Sequence, residues 1–304
     1  MVYNRLKLYK TPPKTVIIGA SGFLGSAFLF TYRNIHPDCV GTARKLDGYN
    51  IFYVDLLSPN IAPLKLTEKG HKEALILAAI PKIERCEKEK ELTRKVNVDG
   101  TLELIKQLVS EGIKPIFFSS DYVFDGEKGN YEDDALTNPI TEYGRQKAEV
   151  EARIKDIAKD NYLVVRLGKV FSLKKGDNSL LDEMASILAS GGIVKAAFNQ
   201  IFSPMLISDV INAVAYLQAK GTTKIINVCS PEVWLRYDLA LEMAKAMGIE
   251  SKQIQRISLD EIASEAKRPK NTSMIPKRLL SEKQITFTSI SKCIKIIAKN
   301  YRDI

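Results

Sequence analysis

Histidine and tryptophan are scarce in this 304-residue sequence, which has only two histidines, His36 and His71, and a single tryptophan. Neither histidine stands at metal-ligand spacing from a cysteine or from the other histidine, so the sequence disfavours a zinc-dependent dehydrogenase and a histidine-based catalyst. The four cysteines lie far apart and form no C-x-x-C pair, a pattern typical of reduced thiols. We therefore expect a cytoplasmic protein without structural disulfides or a bound metal.

Long hydrophobic runs are absent as well. No uninterrupted apolar stretch reaches the ~20 residues of a membrane span, so the sequence predicts no contact with a membrane. The apolar run 15–30 follows a basic start, but three glycines interrupt it. Because no small-residue cleavage site follows, a strand, a loop and a helix explain this run better than a secretory signal does.

Positive charge predominates, with 45 lysines and arginines against 36 acidic residues and a net charge of +9. The basic residues are scattered along the chain rather than gathered in one arm or stripe. This scatter indicates a solvated basic surface and predicts no nucleic-acid partner. An anionic substrate or cofactor is also compatible with it.

Short apolar runs alternate with amphipathic helical segments from residue 14 to about residue 168. The predicted strands are 14–19, 39–42, 50–54, 74–79, 114–119 and 162–167, and the predicted helices are 22–34, 92–111 and 141–159. This alternation predicts right-handed βαβ units and an α/β fold with a Rossmann-type doubly wound parallel sheet.

The pattern loses regularity after about Gly168, where helices are predicted at 178–190, 209–220 and 235–247, a strand at 224–228, and a short basic tail. We expect a dinucleotide-binding Rossmann domain over residues 1–170. Residues 171–304 are predicted to form mainly a smaller C-terminal substrate-binding lobe, with segments around 204–228 returning to the Rossmann domain.

A G-x-x-G-x-x-G run lies between the first predicted strand and the first predicted helix, the context in which such a run binds a dinucleotide. The first glycine permits the tight turn, the second lets backbone amides approach a pyrophosphate, and the third lets the helix pack closely on the sheet. Turn geometry alone is the alternative explanation. The candidate cofactor-binding residues of this loop are Gly19, Ser21, Gly22, Phe23, Leu24 and Gly25.

The end of the second strand distinguishes the two nicotinamide dinucleotides, because NAD(H) favours a carboxylate there and NADP(H) a cation. Arg44 suits a 2′-phosphate, whereas Asp47 comes slightly late to bind a ribose hydroxyl. NADP(H) is therefore the preferred cofactor, with NAD(H) as the alternative. Asp55, after the third strand, is a candidate adenine contact or a helix N-cap.

Tyr143 and Lys147 stand four residues apart on one helical face. A carbonyl reductase needs an acid near neutral pH, and an ammonium ~4 Å from the phenol would lower its pKa by nearly three pH units. Ser120, ending the fifth strand, can hydrogen-bond the substrate oxygen. A Tyr-Lys pair alone also occurs on exposed helices, but together with the glycine-rich loop it predicts hydride transfer.

The segment S-S-D-Y-V-F-D-G at 119–126, followed by G-N-Y-E-D-D at 129–134, N-P at 138–139 and Y-G-R-Q-K at 143–147, resembles the dTDP-4-dehydrorhamnose reductase family. These are extended short-chain dehydrogenases/reductases with S-T-D-Y-V-F-D-G and Y-G-x-x-K motifs. V-N-V-D-G-T at 96–101 and K-R-P-K-N-T-S at 267–273 also resemble family segments. The resemblance implies NADP(H)-dependent reduction of a 4-keto sugar carried on a nucleoside diphosphate.

The resemblance also implies site residues. Ser120, Tyr143 and Lys147 would be catalytic. Cofactor contacts would include Asp55, Leu56, Ala78, Ala79, Asn97, Tyr143 and Lys147, and substrate contacts would include Ser120, Asp121, Tyr122, Phe124 and Arg268. Without the resemblance, Asn97 is typical of a solvated helix position. Arg268 is then as typical of a surface residue as of a site residue.

Three segments depart from the family pattern: Ile80-Pro81-Lys82 follows the fourth strand, Lys169 stands where a tryptophan is usual, and 199–205 matches loosely. Because these segments contact sugar or base in the family, the identity of the sugar does not follow. Tyr122 occupies the place of the glutamate of related dehydratases, which disfavours elimination chemistry. An epimerase, or a regulatory subunit resembling the methionine adenosyltransferase β-subunit, remains an alternative, and a homodimer is compatible with the sequence.

Overall fold

A parallel β-sheet forms the centre of the protein in a computed structural model that describes residues 6–46, 48–262 and 266–302. In chain order the strands are β1 (Thr15–Ile18), β2 (Gly41–Ala43), β3 (Ile51–Tyr53), β4 (Glu73–Ile76), β5 (Lys114–Ser120), β6 (Leu163–Leu167), β7 (Val170–Phe171), β8 (Val194–Ala197), β9 (Ile201–Phe202), β10 (Met205–Leu206), β11 (Lys224–Val228), β12 (Trp234–Leu235) and β13 (Ile254–Ile257).

The central sheet of the described chain has seven strands in the order β3-β2-β1-β4-β5-β6-β11, and every neighbouring pair is parallel. The order reverses between β1 and β4, as in Rossmann-type sheets, and ligands bind at the carboxyl ends of the strands at such a reversal. The predicted α/β fold with a doubly wound parallel sheet is therefore confirmed.

The helices cover both faces of this sheet and build a further layer at the C-terminal end. They are α1 (Phe23–Arg33), α2 (Ile83–Lys88), α3 (Lys90–Arg94), α4 (Thr101–Ser110), α5 (Glu142–Ala158), α6 (Leu180–Ala189), α7 (Ile207–Ala219), α8 (Arg236–Met247), α9 (Lys277–Leu280) and α10 (Ile290–Arg302). Among the residues that the structure describes, none of these helices is long and apolar enough to cross a membrane.

The side chains of β1 alternate between two hydrophobic cores. Ile17 packs in the core that contains α1 and α7, whereas Val16 and Ile18 pack on the opposite face with α4 and α5. Because both faces of a parallel sheet are covered, a strand such as β1 reads as a continuous apolar run rather than an alternating one. This explains why β1 was easy to predict.

The helix predicted over 92–111 is interrupted in the structure. α3 ends at Arg94, the backbone widens into a π-helical turn over Lys95–Gly100, and α4 begins at Thr101. Single π-helical turns inserted between α-helical segments are frequent at functional sites. Asn97 lies in this turn, so its side chain points differently from the one that a regular helix predicts.

The C-terminal residues pack around a separate core formed by α6, α8 and α10. The tail predicted as short and basic is wrong, because α10 buries Ile290, Cys293, Ile294 and Ile297 against α6 and α8. The segment around 204–228 contains α7, which packs beside α1, and β11, which joins the edge of the central sheet. The division into two domains near residue 170 stays a prediction.

A buried polar network crosses the amino-terminal edge of the sheet. Lys114 lies 3.5 Å from Glu73, and both side chains are almost fully buried. The amide of Gln218 donates to Glu73 at 2.6 Å and accepts from the phenol of Tyr32 at 2.5 Å. Burial raises the pKa of Glu73, while Gln218 and Lys114 oppose the increase.

Lys114→Met should lower the free energy of unfolding by about 3–5 kcal/mol near pH 7, because it leaves a buried carboxylate without its ammonium partner. The pKa of Glu73 is raised in the folded state, so its ionisation opposes folding as pH rises. The difference in the free energy of unfolding between Lys114→Met and wild type should therefore become smaller as pH falls through the pKa of Glu73. Urea unfolding at several pH values measures both effects.

Lys65→Met is the matched control, because Lys65 pairs with Glu68 at 3.4 Å with both side chains more than 60% exposed. Its expected cost is below about 1 kcal/mol at any of these pH values. Equal urea midpoints for the two variants would contradict the role given to the buried pair.

Candidate active site

A cavity of about 530 Å³ opens at the carboxyl ends of β1 and β4, where the strand order reverses. Its wall combines the glycine-rich loop, the ends of β2 and β3, and the start of α5. The predicted site residues that line it are Gly19, Ser21, Gly22, Phe23, Leu24, Gly25, Arg44, Asp55, Leu56, Ala78, Ala79, Tyr143 and Lys147. One cavity therefore brings together most of the predicted cofactor and catalytic residues.

The glycine-rich loop has the backbone geometry that only glycine allows at two positions. Gly19 has φ +92°, and a Cβ there would lie 2.7 Å from the backbone nitrogen of Ala78. A Cβ on Gly25 would lie 2.1 Å from the carbonyl oxygen of Gly19. Both distances are far below van der Waals contact, so the loop can run beside the sheet only without these side chains.

The amino-terminal end of α1 faces the cavity. Gly22 is its N-cap residue in an extended conformation, and no acidic side chain lies in the first turn. The first amide groups of a helix lack partners within the helix, and its dipole is positive at this end. The cavity wall therefore provides donors for an anion such as a pyrophosphate.

The far end of the cavity carries the residues that would distinguish the two dinucleotides. Arg44 follows β2 directly, is exposed and lines the cavity. Asp55 also lines the cavity, and its carboxylate accepts from the backbone nitrogen of Leu57 at 3.0 Å, so both predicted roles are compatible with its position. Asp47 lies outside the described residues.

Tyr143 and Lys147 occupy the first turns of α5 and point into the cavity wall. Thr141 fixes the start of this helix, because its hydroxyl accepts from the backbone nitrogen of Gly144 at 3.0 Å. Ser120 ends β5 and, although it does not line the cavity, lies close enough to Tyr143 to lower the pKa of the phenol. The structure thus places the three predicted catalytic side chains together.

Lys147 is almost fully buried, and its ammonium donates to the carbonyl oxygen of Phe118 at 2.8 Å. The same nitrogen lies 4.6 Å from the ring centroid of Phe117 and 5.8 Å from that of Tyr143. Burial lowers the pKa of Lys147 to about 8, with Glu151 opposing the decrease. Near neutral pH this ammonium therefore stays mostly charged.

The expected lowering of the pKa of Tyr143 is wrong for this arrangement. Burial raises that pKa well above its ordinary value, and the carboxylate of Asp121 raises it further. A cation ~4 Å away in a partly solvated site would lower this pKa, but the cost of burying a phenolate is the larger effect here. Tyr143 is consequently protonated throughout the neutral range.

Asp121 follows Ser120 and is almost completely buried. One carboxylate oxygen accepts from the hydroxyl of Ser120 at 2.9 Å, and the other accepts from the hydroxyl of Thr272 at 2.7 Å. Burial raises the pKa of Asp121, and these two hydrogen bonds oppose the increase. Both carboxylate oxygens thus already accept from protein hydroxyls, and the predicted contact between Asp121 and a substrate stays a prediction.

Tyr122 lies beside Tyr143, with the two rings 6.4 Å apart in an edge-to-face arrangement. Burial raises the pKa of Tyr122 to about 12, while the guanidinium groups of Arg268 and Arg236 lower it. Tyr122 therefore lies between Tyr143 and the guanidinium groups of Arg268 and Arg236, and its contact with a substrate stays a prediction.

Phe124 and Asn97 do not line the cavity. Phe124 is fully buried and stacks on Tyr131 with ring centroids 4.1 Å apart, so it has no surface for the predicted substrate contact. Asn97 is buried behind the wall, where it accepts from the backbone nitrogen of Ile80 at 2.7 Å and donates to Gln146 at 2.8 Å. It supports the wall rather than touching a ligand.

Arg268 also lies outside the cavity, near Tyr122. Its guanidinium pairs with the carboxylate of Glu84 in α2. Arg236 lies 3.8 Å from Glu183, and Lys169 is solvent-exposed close to both arginines. Partial desolvation by the neighbouring protein atoms and the charge of Arg236 lower the pKa of Lys169. Lys169 and Arg236 were not predicted as site residues, because they converge with Arg268 only through the tertiary fold.

Ser119 was also missed. Its side chain lines the cavity, is nearly fully buried, and its hydroxyl has no hydrogen-bond partner among the described residues. A buried hydroxyl without a partner is unfavourable unless a ligand completes it. The sequence did contain a signal for Ser119, because it stands next to Ser120 at the carboxyl end of the same strand, β5.

A model of the RmlD substrate binding domain family matches residues 13–302, which is nearly the whole chain. The chain belongs to this family. The predicted resemblance to dTDP-4-dehydrorhamnose reductases is confirmed. The segment Ile80-Pro81, which departs from the family pattern, lies in the cavity wall and therefore changes the surface that faces a ligand.

Curated relatives of this RmlD-family chain include reductases and a methionine adenosyltransferase subunit. The probable low-salt glycan biosynthesis reductase Agl14 of Haloferax volcanii is 27% identical over 85% of this chain and 88% of its own. The dTDP-4-keto-6-deoxy-D-glucose reductase of Streptomyces niveus is 25% identical over 84% and 86%. The methionine adenosyltransferase 2 subunit beta of Xenopus tropicalis is 26% identical over 86% and 80%.

The fold is shared with solved structures. The dTDP-4-dehydrorhamnose reductase of Bacillus anthracis, solved in complex with NADP, has a TM-score of 0.76 and 20% sequence identity. The match covers 94% of this RmlD-family chain and 98% of that one. At this identity the likeness supports the fold, and the chemistry must be argued from the residues of this chain.

Proposed function

We propose that this RmlD-family protein uses NADPH to reduce the keto group of a 4-keto sugar carried on a nucleoside diphosphate. The observation that supports it most directly is the shared cavity, whose wall contains the glycine-rich loop and Arg44 together with Tyr143 and Lys147. A dinucleotide bound by the glycine-rich loop and Arg44 would place its nicotinamide end beside Tyr143 and Lys147.

The residues present fit a nicotinamide dinucleotide. The loop leaves no room for a Cβ at Gly25, and the first amides of α1 face the cavity. The buried hydroxyl of Ser119 in the cavity wall has no hydrogen-bond partner among the described residues and could bind a ligand. Arg44 would hold a 2′-phosphate, which favours NADP(H), while NAD(H) stays the alternative. When bound, the cofactor supplies the hydride, and the protein supplies orientation and the proton.

Tyr143 holds the proton that the reduction consumes. As hydride adds to the carbonyl carbon, the carbonyl oxygen gains negative charge and takes the proton from the phenol oxygen, so a hydroxyl forms. The raised pKa of Tyr143 keeps this proton in place at neutral pH before reaction. The nearby Lys147 favours the phenolate that remains after transfer.

The cations outside the cavity suit the diphosphate of the substrate. We propose that Arg268, together with Lys169 and Arg236, binds these phosphates, because guanidinium groups match phosphate oxygens in pairs and their charges add. Tyr122 lies between this cluster and Tyr143. A sugar attached to the diphosphate would therefore reach the catalytic phenol.

A regulatory subunit is the second candidate, because a methionine adenosyltransferase β-subunit is among the relatives. Ser120, Tyr143 and Lys147 are all present in this chain, which favours catalysis. An epimerase would use the same residues with a retained oxidised cofactor. All four cysteines are free and buried, which favours the predicted cytoplasmic location, and the homodimer stays a prediction.

The test is whether the purified protein oxidises NADPH in the presence of dTDP-4-dehydrorhamnose or of dTDP-4-keto-6-deoxy-D-glucose. The loss of NADPH absorbance measures the rate. We expect turnover with at least one of these compounds and slower turnover with NADH. Tightly bound NAD⁺ with sugar interconversion and no NADPH loss would indicate an epimerase. Stable co-purification with a methionine adenosyltransferase and no turnover would indicate a regulatory subunit.

A further inference from the structure

A short C-terminal segment, residues 268–275, crosses the loop that follows β5, and we call it the strap. The backbone of Asn271 donates to the carbonyl oxygen of Gly126 at 2.8 Å, and that of Tyr131 donates to Ser273 at 3.0 Å. On its other side the backbone of Thr272 donates to Ile201 at 2.9 Å. The backbone of the strap is therefore held on both edges.

Thr272 connects the strap to the catalytic serine. Its hydroxyl is buried and donates to Asp121 at 2.7 Å, while the other oxygen of the same carboxylate receives the hydroxyl proton of Ser120 at 2.9 Å. Ser120 has one proton, so its oxygen is left to accept, and the backbone nitrogen of Tyr122 already donates to it at 3.2 Å. The nearby phenol of Tyr143 can then donate to this oxygen.

We propose that Thr272 is a positioning residue that, through the carboxylate of Asp121, sets the direction in which the Ser120 hydroxyl donates. Ser120 then orients the phenol of Tyr143 by accepting from it, and the phenol proton is released only to an oxygen that gains negative charge. This role concerns the reaction under Proposed function and rests on it. The strap also contains Arg268. The residue proposed to bind the substrate phosphates and the residue proposed to orient Ser120 therefore lie in one segment.

The arrangement requires an ionised Asp121, because a protonated carboxyl would donate to Ser120 and reverse its direction. Burial raises the pKa of Asp121, and the hydrogen bonds from Thr272 and Ser120 and the charge of Lys169 lower it. The other titratable groups that sense this carboxylate are Tyr122, Tyr143 and Cys229, whose pKa values it raises. Loss of the Thr272 hydroxyl should therefore raise the pKa of Asp121.

Thr272→Val keeps the shape of the side chain and removes its hydroxyl. With NADPH and dTDP-4-dehydrorhamnose, or whichever of the two dTDP sugars is reduced, we expect kcat at pH 6 to fall about tenfold, since a hydrogen bond to a charged group is lost. The acid limb of the kcat profile should move to higher pH, and the KM for NADPH should not change. Thr272→Ser should restore the wild-type profile.

Ser273→Ala is the matched control within the strap. Ser273 is equally buried, but its hydroxyl donates to Asn271 at 2.7 Å and accepts from the backbone of Asn130 at 2.8 Å, with no bond to Asp121. It should change thermal stability without moving the acid limb. Thermal unfolding of all variants separates loss of folding from loss of orientation.

A carbon NMR titration of Asp121, assigned with Asp121→Asn, tests the proposal without turnover. The pKa of Asp121 should rise in Thr272→Val and stay unchanged in Ser273→Ala. Equal pKa values in wild type and Thr272→Val would overturn the proposal, as would a kcat that increases at pH 6. If neither sugar is reduced, the function proposed above fails, whereas the NMR result still decides the role of Thr272.

Discussion

Replacing Tyr143 by phenylalanine should lower kcat about 10²- to 10⁴-fold, the range expected when a general acid is removed. The phenyl ring keeps its edge-to-face contact with Tyr122 and its place in the cavity wall. The affinity for NADPH should therefore remain nearly unchanged. Steady-state kinetics with the reduced dTDP sugar and fluorescence titration with NADPH measure the two quantities.

Tyr122→Phe is the matched control for this prediction. It also removes one phenol oxygen from the same cleft, but the pKa of this phenol responds to Arg268 and Arg236, whereas that of Tyr143 responds to Ser120. We expect its main effect on the KM for the sugar substrate, with kcat within about tenfold of wild type. Near-normal turnover by Tyr143→Phe would refute the assignment of the proton donor.

Arg44→Ala should weaken binding of NADPH by about 10- to 150-fold while changing NADH affinity little. The reason is that a guanidinium bound to a phosphate makes charge-assisted hydrogen bonds of about 1.5–3 kcal/mol, and only NADPH carries the 2′-phosphate. Arg44 lines the cavity directly after β2, where that phosphate would lie. Titration of both dinucleotides at one ionic strength measures the ratio.

Lys45→Ala serves as the control for Arg44, because Lys45 is the next residue and is also exposed but does not line the cavity. It removes the same formal charge from the same surface. A modest loss of NADPH affinity in this variant measures the general electrostatic effect. Equal losses for NADPH and NADH in Arg44→Ala would defeat the preference for NADP(H).

The elements that were predicted well are those whose signal is local. β1 reads as a continuous apolar run because it is buried on both faces, and α1 begins directly after a glycine N-cap. α5 was predicted over 141–159 and extends over Glu142–Ala158, with Thr141 as its cap. Neighbouring residues decide capping, turn geometry and helical periodicity, so the sequence contains this information.

α10 shows a local signal that was overlooked. Its apolar residues Ile290, Ile294 and Ile297 recur at helical spacing, which indicates an amphipathic helix. The lysines between them instead led to the prediction of a basic tail. The π-helical turn over Lys95–Gly100 is a different case, since the periodicity on both sides of it predicts one uninterrupted helix. Only contacts with neighbouring elements decide where such a helix widens.

The sequence by itself determined the α/β fold, the phosphate-binding loop and the pairing of Tyr143 with Lys147, because glycine spacing and helical periodicity act over a few residues. Only the tertiary structure decided the electrostatics of the site. Burial raises the pKa of Tyr143 rather than lowering it, and Thr272, 151 residues after Asp121, completes the hydrogen bonds of that carboxylate. Desolvation and long-range hydrogen bonds depend on which distant segments meet, and no local pattern records that.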